Sequence, residues 1–325
     1  MQNNIKNILK DDEVSSTLRK LGYKGTPSMM DIHEGVYAQK GIQTVLSFTN
    51  GKVLFKQQPM CFVEAENLQR KLKDFPDRYP KVYIAKEDYI FMEFIDGENS
   101  LSEIRKGIFP DLNDIITHIA EVHNRTAHYL RTGEITFKPK DYTEYCMGKF
   151  QKHLPELKVD VAGIKSDLQT ISEKLRCYPQ VEHIDANLAN WIGNKKIDET
   201  NNTLSVPALT LKSLLEYGPI HLEKKELDDY HVIYCRLTLK DYSQFTEETQ
   251  LADPIFHLNK IFRNIRYLDV LRNGEFAAEN SKDLSRHIQK TDSGLKNLNK
   301  SGFETSNLQG FLYILTKHAV DKGHL

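Results

Sequence analysis

The segment at residues 183–190 carries the polar side chains whose types and spacing say most about chemistry. Asp185 stands two residues after His183, and Asn190 stands five residues after Asp185. In phosphoryl transfer, an aspartate accepts the proton of the attacking hydroxyl group, and an asparagine holds a metal ion on the nucleotide phosphates. The kinase catalytic loop places these two residues at the same interval. The spacing therefore predicts Asp185 as the catalytic base, His183 as a residue that braces the loop, and Asn190 as a metal ligand.

This loop resembles that of the aminoglycoside phosphotransferase and choline kinase family, which usually reads His-Gly-Asp-x-x-x-x-Asn. The competing interpretation is an ordinary polar turn, in which the asparagines serve as turn or cap residues. The resemblance implies a protein kinase-like fold. It also implies transfer of phosphate from ATP, or GTP, with Mg²⁺, to a hydroxyl group of a small molecule resembling an aminoglycoside, choline or a sugar.

A phosphotransferase also needs a cation on the nucleotide phosphates, usually a strand lysine that is held by a helix glutamate. Lys56 ends the β-type run at 53–56, and Glu66 lies in the next predicted helix. The resembling family has an apolar-apolar-Lys segment followed by a glutamate ahead of a leucine-rich helix. The resemblance therefore implies Lys56 and Glu66 as cofactor-binding residues, with Glu64 as the rival for the helix position.

The segment at 91–97, which reads Phe-Met-Glu-Phe-Ile-Asp-Gly, resembles the connection between the two lobes in the same family. There, exposed backbone groups hydrogen-bond the edge of the adenine ring. The resemblance implies that Glu93 and Ile95 contact the nucleotide through their backbone.

A second metal-binding carboxylate is expected after the catalytic loop. The family supplies an aspartate, whereas the candidate here is Glu216, which stands before Tyr217 and Gly218 at the end of an apolar run. Glutamate offers two hard oxygens that suit Mg²⁺. Asp198 is the alternative ligand, although it falls in residues 193–203, which read as a long hairpin. The expectation is that Asn190 and Glu216 hold the metal.

Hydrophobic periodicity divides the chain into a strand-rich part and a helix-rich part. The first part contains a helix over 5–21, strands over 41–48 and 52–56, a helix over 62–73, and strands over 81–85 and 89–95. The second contains helices over 111–131 and 164–176, short strands over 190–193 and 204–216, and mainly helices from 226 onward. This order predicts an α+β, bilobal fold with a small strand-rich nucleotide-binding lobe over 1–95 and a larger, mainly helical catalytic and substrate-binding lobe over 96–325.

Composition narrows the choice of partner. The 325 residues include 44 basic and 45 acidic side chains, for a net charge of −1. Because nucleic-acid modules carry a basic excess, no nucleic-acid partner is expected. The four cysteines are far apart, which argues against zinc and against a disulfide framework. No apolar run reaches the ~20 residues that span a bilayer, so no membrane association and a cytoplasmic location are expected. The acceptor and the oligomeric state are left open.

One departure from the kinase pattern keeps a second function open. The chain has no Gly-x-Gly-x-x-Gly motif, and only the segment bracketed by Gly35 and Gly41 could form a looser turn over the phosphates. A kinase-fold binding or regulatory module with weak or no catalysis is therefore the alternative to the enzyme. Transfer of a nucleotidyl group to a protein is a third hypothesis that the same loop could support.

Overall fold

The structure is a computed structural model, and it describes residues 2–31, 42–59, 61–199, 203–216, 220, 222–270 and 275–325. The turn expected between Gly35 and Gly41 lies outside these residues. Two compact units can be distinguished. Unit 1 comprises Met1–Leu112 and Ile184–Asn202, and unit 2 comprises Asn113–His183 and Thr203–Leu325. The predicted boundary at 95/96 differs from this division, because the segment that follows His183 packs with the N-terminal part of the chain.

The described elements, numbered in chain order, are short strands and mostly longer helices. The strands are β1 (Ser28–Asp31), β2 (Ile42–Phe48), β3 (Gly51–Gln57), β4 (Val82–Ala85), β5 (Tyr89–Glu93), β6 (Lys138–Pro139), β7 (Val181–Glu182), β8 (Trp191–Ile192), β9 (Lys195–Lys196) and β10 (Thr203–Ser205). The helices are α1 (Gln2–Ile8), α2 (Asp12–Lys20), α3 (Cys61–Asp74), α4 (Ser100–Arg105), α5 (Leu112–Thr132), α6 (Tyr142–His153), α7 (Val161–Arg176), α8 (Pro207–Leu215), α9 (Lys224–Thr238), α10 (Tyr242–Val270), α11 (Glu275–Lys300) and α12 (Ser306–Asp321).

The predicted helix over 5–21 is two helices, and Asp11 is the reason. Its carboxylate accepts hydrogen bonds from the backbone N–H groups of Glu13 at 3.0 Å and Val14 at 3.2 Å. An aspartate in this position satisfies amides that have no partner within the helix, so it starts α2 afresh. The apolar spacing that suggested one helix continues across the break, because α1 and α2 pack on the same face of the sheet.

Unit 1 is built on a five-stranded antiparallel sheet of order β1-β2-β3-β5-β4. The predicted reversal at Asn50-Gly51 joins β2 to β3. Successive side chains of a strand point to opposite faces. Val53 and Phe55 pack with the residues of α1 and α2, whereas Leu54 packs with the residues of α3. Lys56 shares the face of Leu54, and this alternation directs its ammonium group toward α3.

Unit 2 is mainly helical, with α10 packed against α6, α7, α8 and α11. A small sheet of order β6-β10-β7 belongs to the same unit. The strand predicted over 204–216 is wrong, since only Thr203–Ser205 is extended and α8 follows at once. Every residue of α8 is buried, and Pro207 opens its first turn. A continuous apolar run fits a buried strand as well as a buried helix, so periodicity could not separate them.

A further finding concerns membranes. Across the parts of the chain that the structure describes, no helix combines the length and the apolar character needed to cross a bilayer.

Candidate active site

The lysine at the end of β3 is paired with a glutamate of α3. The ammonium group of Lys56 donates to the Glu64 carboxylate at 2.6 Å, and both side chains are buried. Glu66, which the sequence suggested for this position, is exposed to solvent. The correction follows from helix geometry, because residues two apart on a helix do not share a face. The rival Glu64 lies on the buried face with Ala65 and Leu68, and Glu66 lies on the solvent side.

Lys56 remains charged in spite of its burial. Burial alone would lower the pKa of its ammonium group, but the Glu64 carboxylate and then the Asp198 carboxylate raise it above the ordinary value. Asp198 therefore lies close enough to Lys56 for its charge to be felt. A fixed positive charge at this position is what a nucleotide phosphate requires of a kinase lysine.

The catalytic-loop segment is a short turn that is held by its own polar side chains. Asn187 caps the 3-10 turn Leu188–Asn190, since its side-chain oxygen accepts from the Ala189 N–H at 3.1 Å. The Asn190 amide donates to the Asp185 carbonyl at 3.2 Å, so its nitrogen points into the loop and its oxygen points away. The Asp185 side chain is exposed. The loop therefore presents a carboxylate and an amide oxygen outward from a rigid turn.

A continuous series of hydrogen bonds joins Lys56 to this loop. The Lys56 ammonium donates to the Ile197 carbonyl at 3.4 Å, and the Ile197 N–H donates to the Asn190 carbonyl at 2.9 Å. The Asn190 side chain then donates to the Asp185 carbonyl. All four residues belong to unit 1. The structure thus places the strand lysine, the predicted metal ligand and the predicted base in one bonded group.

The hairpin that follows the loop is much shorter than expected. Strand β8 pairs with β9 across Gly193 and Asn194, and Trp191 is fully buried at its start. The backbone of Gly193 has φ 55°, which favours glycine in a tight reversal. The predicted long hairpin over 193–203 is therefore wrong. As a result, Asp198 stands just beyond β9 and not in a solvent-exposed tip.

The Asp198 carboxylate has one oxygen in a buried position. Within the described part of the chain, its Oδ1 is buried and has no hydrogen-bond partner. A buried carboxylate oxygen without a partner costs free energy, on the order of 1–3 kcal/mol or more. Such an oxygen fits a bound cation, and carboxylate and amide oxygens are the ligands that Mg²⁺ takes in proteins. Asp198 and Asn190 are thus suited to hold a metal ion.

Glu216 lies in unit 2, and its two oxygens are already bonded. Oε1 accepts from the Lys212 ammonium at 2.7 Å, Oε2 accepts from the Lys290 ammonium, and His257 Nε2 lies 3.6 Å from Oε2. Burial alone would raise the pKa of Glu216, but Lys212, His257 and Lys290 lower it well below its usual range. The negative charge of Glu216 is therefore neutralised by the lysines of a buried ion cluster. Glu216 was chosen because it follows the apolar run, and Asp198 was placed second because it falls in the segment that read as a long hairpin.

Glu216 also lies with Asp253 and His257 in a group whose ligand atoms are all within 4.8 Å of one another. Lys212 contacts both carboxylates of this group. An ammonium ion thus stands where a metal ion would have to bind, so the group does not resemble an open metal site.

His183 is the last residue of a unit 2 segment, and it bonds to the strand that follows the loop. Its Nδ1 lies 3.0 Å from Ser205 Oγ, and its backbone N–H donates to the Thr203 carbonyl at 2.8 Å. Both partners belong to β10. These bonds hold His183 itself against that strand.

The segment expected to contact adenine follows the end of β5. Glu93 closes the strand, its carboxylate accepts from Lys195 Nζ at 3.3 Å, and Ile95 lies in irregular backbone two residues later. Gly97 has φ 129°, and a Cβ atom there would meet Ile192 Cγ2 at 3.0 Å. A glycine is therefore needed for this segment to pass close to the hairpin after the catalytic loop.

Three buried charged residues near Asp198 were missed by sequence reasoning. Glu199 lies between Lys71 at 2.8 Å and Lys196 at 3.0 Å, and all three side chains are almost fully buried. The Gly193-Asn194 pair was the available signal, since a two-residue turn of this type predicts a tight hairpin. It would have placed Lys196 and Asp198 next to the loop. No comparable signal marks Lys71, whose helix pattern fits a solvated lysine equally well.

No protein-family model and no curated protein sequence matches this chain. Solved structures do. A choline kinase from Cryptosporidium parvum Iowa II has a TM-score of 0.55 at 14% identity, covering 93% of this chain and 100% of its own. A putative aminoglycoside phosphotransferase from Ralstonia eutropha JMP134 has a TM-score of 0.54 at 14% identity, with coverages of 88% and 97%.

The ethanolamine kinase Pv091845 of Plasmodium vivax is also similar, with a TM-score of 0.52, 14% identity, and coverages of 87% and 85%. The chain has a protein kinase-like fold. The neighbours come from the suspected family of aminoglycoside phosphotransferases and choline or ethanolamine kinases, so the expected fold class is confirmed. At this identity the likeness extends to the fold, and function has to be argued from the site.

Proposed function

We propose that this protein is an ATP- and Mg²⁺-dependent phosphotransferase that phosphorylates a hydroxyl group of a small molecule. The neighbours with this fold are kinases and phosphotransferases acting on small molecules. The observation that carries the proposal is the bonded series from Lys56 through Ile197 and Asn190 to Asp185. A polar turn with no chemistry would not need a buried lysine on an adjacent strand.

Asp185 is the proposed base. Its side chain is exposed, and its Oδ1 accepts a hydrogen bond from the Asn187 N–H at 3.4 Å. An acceptor hydroxyl can therefore reach the carboxylate and give up its proton as the new O–P bond forms. His183 positions the loop through Ser205 and takes no part in proton transfer.

Lys56 would bind the nucleotide phosphates, and Glu64 would hold the lysine in place. The backbone at Glu93 and Ile95 would hydrogen-bond the base of the nucleotide. Backbone groups would hydrogen-bond the edge of the adenine base of ATP. GTP would compete to the extent that the edge of guanine can form the same hydrogen bonds. These roles place all nucleotide contacts on residues of unit 1.

Asn190 and Asp198 would hold the metal ion, with Asp198 in the role first assigned to Glu216. The buried Oδ1 of Asp198, which has no hydrogen-bond partner among the described residues, supports this assignment. A bound Mg²⁺ supplies charge neutralisation on the phosphate oxygens. The protein's contribution is to fix two oxygen ligands on one short segment, where the Ile197 N–H to Asn190 carbonyl bond sets their spacing.

The acceptor is proposed by class alone. The similar structures are named for choline, ethanolamine and aminoglycoside substrates, which share a hydroxyl group on a polar small molecule. Transfer to an alcohol of this class, including sugars, fits the same base and metal ligands, because they act on the phosphate donor and on one hydroxyl group.

The decisive variant is Asp185→Asn, which keeps the size of the side chain and removes the base. Labelled phosphate from γ-labelled ATP is measured in products from a panel of amino alcohols, aminoglycosides and sugars. General-base catalysis contributes on the order of 10²–10⁴-fold, so transfer should fall by at least 10²-fold. The exposed Asp77→Asn is the matched control and should retain the wild-type rate.

Thermal unfolding with ATP and Mg²⁺ separates the enzyme from a different class of protein. Saturating ligand should stabilise both the wild type and Asp185→Asn by a few kcal/mol. Full transfer by Asp185→Asn would contradict the proposal. Stabilisation by nucleotide without transfer to any acceptor would favour a kinase-fold binding module.

A further inference from the structure

Three lysines and three carboxylates form a cluster that includes the proposed metal ligand Asp198. The lysines are Lys56, Lys71 and Lys196, and each is almost fully buried. The carboxylates are those of Glu64, Asp198 and Glu199. Lys56 pairs with Glu64, and Lys71 pairs with Glu199. One ammonium group, that of Lys196, and one carboxylate, that of Asp198, are left over from this one-to-one pairing.

Lys196 and Asp198 are not joined through the Asp198 side chain. The Lys196 ammonium lies 3.0 Å from Glu199 Oε1 and donates to the backbone carbonyl of Asp198. It nevertheless lies near several negative charges. Burial would lower the pKa of Lys196, but Glu199, Asp198 and Asp185 raise it. The ammonium group thus has a second carboxylate within its electrostatic reach.

Glu199 is held firmly enough to retain that lysine. Burial would raise the pKa of its carboxyl group, but Lys196 and Lys71 lower it to about 2. Its backbone carbonyl accepts from the Asn67 amide at 3.0 Å. Asn67 and Lys71 both belong to α3, the helix that carries Glu64. Both the side chain and the backbone of Glu199 are therefore anchored to that helix.

We infer that Glu199 is a positioning residue that holds the Lys196 ammonium away from the Asp198 carboxylate and so keeps that carboxylate open to a divalent cation. The inference rests on the proposed function, because it assigns the metal to Asp198. Without Glu199, the Asp198 carboxylate is available to this ammonium group, which already donates to the carbonyl of the same residue. An unpaired buried charge is strongly unfavourable. The lysine would then occupy the place of the cation.

The substitution Glu199→Gln tests this directly. It keeps the shape of the side chain and removes the charge that retains Lys196. The ammonium group should shift to the Asp198 carboxylate and compete with the metal ion. Changes in groups that support a metal ligand typically weaken affinity about 10- to 100-fold, and a loss of this size is expected.

Rescue distinguishes this role from a merely structural one. In Glu199→Gln/Lys196→Met the competing ammonium group is gone, so metal affinity should return to within roughly threefold of the wild-type value. Lys196→Met alone should bind the metal at least as tightly as the wild type. If Glu199 only supports packing, the double variant should be as weak as the single variant or weaker.

The measurement is Mn²⁺ binding, followed by the electron paramagnetic resonance signal of free Mn²⁺ in the presence of saturating ADP. It needs no acceptor and no turnover. Circular dichroism and ADP binding without metal show that each variant is folded, and Lys196→Met provides the test if Glu199→Gln does not fold.

Unchanged Mn²⁺ affinity in Glu199→Gln, failure of the double variant to recover, or weakened binding by Lys196→Met would each overturn the inference. A wild-type protein that binds ADP but no Mn²⁺ would overturn the proposed function itself, and the inference with it. The two failures are therefore distinguishable.

Discussion

Both units contain a buried cluster of charged side chains, and the clusters differ in one respect. In unit 2, Glu216 is bonded by Lys212 and Lys290, and Lys212 also bonds Asp253. His257 completes that cluster from 3.6 Å. Each oxygen of Glu216 has an ammonium partner. We call the cluster in unit 2 closed, because both carboxylate oxygens of Glu216 are already bonded to ammonium groups.

In unit 1, two carboxylate oxygens of the described cluster have no hydrogen-bond partner, and only one of them, Glu199 Oε1, has an ammonium group beside it, that of Lys196 at 3.0 Å. Lys56 and Lys71 are each paired with a glutamate, and Lys196 is retained by Glu199. Among the residues that the structure describes there, the buried Oδ1 of Asp198 has neither a hydrogen bond nor an ion pair. A closed cluster stabilises a fold or specifies its packing, whereas an open one can bind a cation. This difference between the clusters is the reason that we propose Asp198, and not Glu216, as the metal ligand.

The largest expected effect is on catalysis in unit 1. Asp198→Asn removes the charge of the metal ligand, and phosphate transfer should fall on the order of 10³-fold, or about 4 kcal/mol of transition-state stabilisation. The counterpart Glu216→Gln should retain the wild-type rate within a few-fold at a temperature where it is folded. Transfer rates for both variants check this, and the reverse order would return the metal to Glu216.

The same Glu216→Gln variant should show its effect in stability. Removing one partner of a buried ion pair costs about 3–5 kcal/mol, and the lower end is expected here because Lys212 retains Asp253. Urea unfolding gives the free energy. Lys290→Met is the control, since that side chain is 42% exposed and should cost about 1 kcal/mol or less. Equal losses in both variants would mean that Glu216 is not the centre of the cluster.

A smaller effect separates two glutamates of α3. Glu64→Gln leaves Lys56 without its partner and should reduce phosphate transfer at limiting ATP by roughly 30-fold, or about 2 kcal/mol. Glu66→Gln changes an exposed side chain and should have no measurable effect. Initial rates over a range of ATP concentrations measure both. A loss with Glu66→Gln and none with Glu64→Gln would restore the original assignment.

The smallest effect is a pH dependence that should arise in unit 2. Burial lowers the pKa of His257 and His287 well below the usual range, and burial with Lys212 lowers that of His231 to about 4. The unfolded chain therefore binds more protons below about pH 6.5. As the pH falls below about 6.5, the free energy of unfolding should therefore decrease, by at most about 1.4 kcal/mol per pH unit for each histidine.

The carboxyl group of Glu199 in unit 1 responds at a lower pH. Its pKa is lowered to about 2, so the stability that it contributes is lost only as the pH falls below the ordinary value of 4.5. Between pH 6.5 and 5, hydrogen-exchange protection factors should fall in unit 2 before they fall in unit 1. His231→Gln should flatten the slope by about a third, as one of three groups is removed. A free energy that is flat from pH 7.5 to 5 would refute the histidine assignment.

Sequence reasoning predicted the local elements of unit 1 well, because strand alternation and the Asn50-Gly51 turn are local signals. Asp185 and Asn190 were chosen from the spacing of the loop and Lys56 from the family resemblance, and the structure joins the three by hydrogen bonds. Glu216 was selected because the apolar run at 204–216 fits a strand and a buried helix equally well. Only the tertiary structure shows which of the two the run forms, because it shows how much of the run is buried. In α8 all of it is buried.

The choice between Glu64 and Glu66 as the partner of Lys56 also depended on tertiary structure. Both stand near the start of a helix with a similar local sequence, and only the position of the sheet shows which one faces Lys56. The buried lysines of unit 1 were missed for a related reason. Lysine is almost never fully buried unless it is paired, and the partner of Lys71 lies 128 residues away in sequence.

The most direct test is a crystal structure with Mn²⁺ and a non-hydrolysable ATP analogue, in which anomalous scattering locates the metal. We expect a Mn²⁺ peak about 2.1 Å from Asn190 Oδ1 and from an Asp198 carboxylate oxygen, with the Lys56 ammonium on the phosphates. A metal bound at Glu216, or a nucleotide bound with no metal near Asp198, would contradict the account.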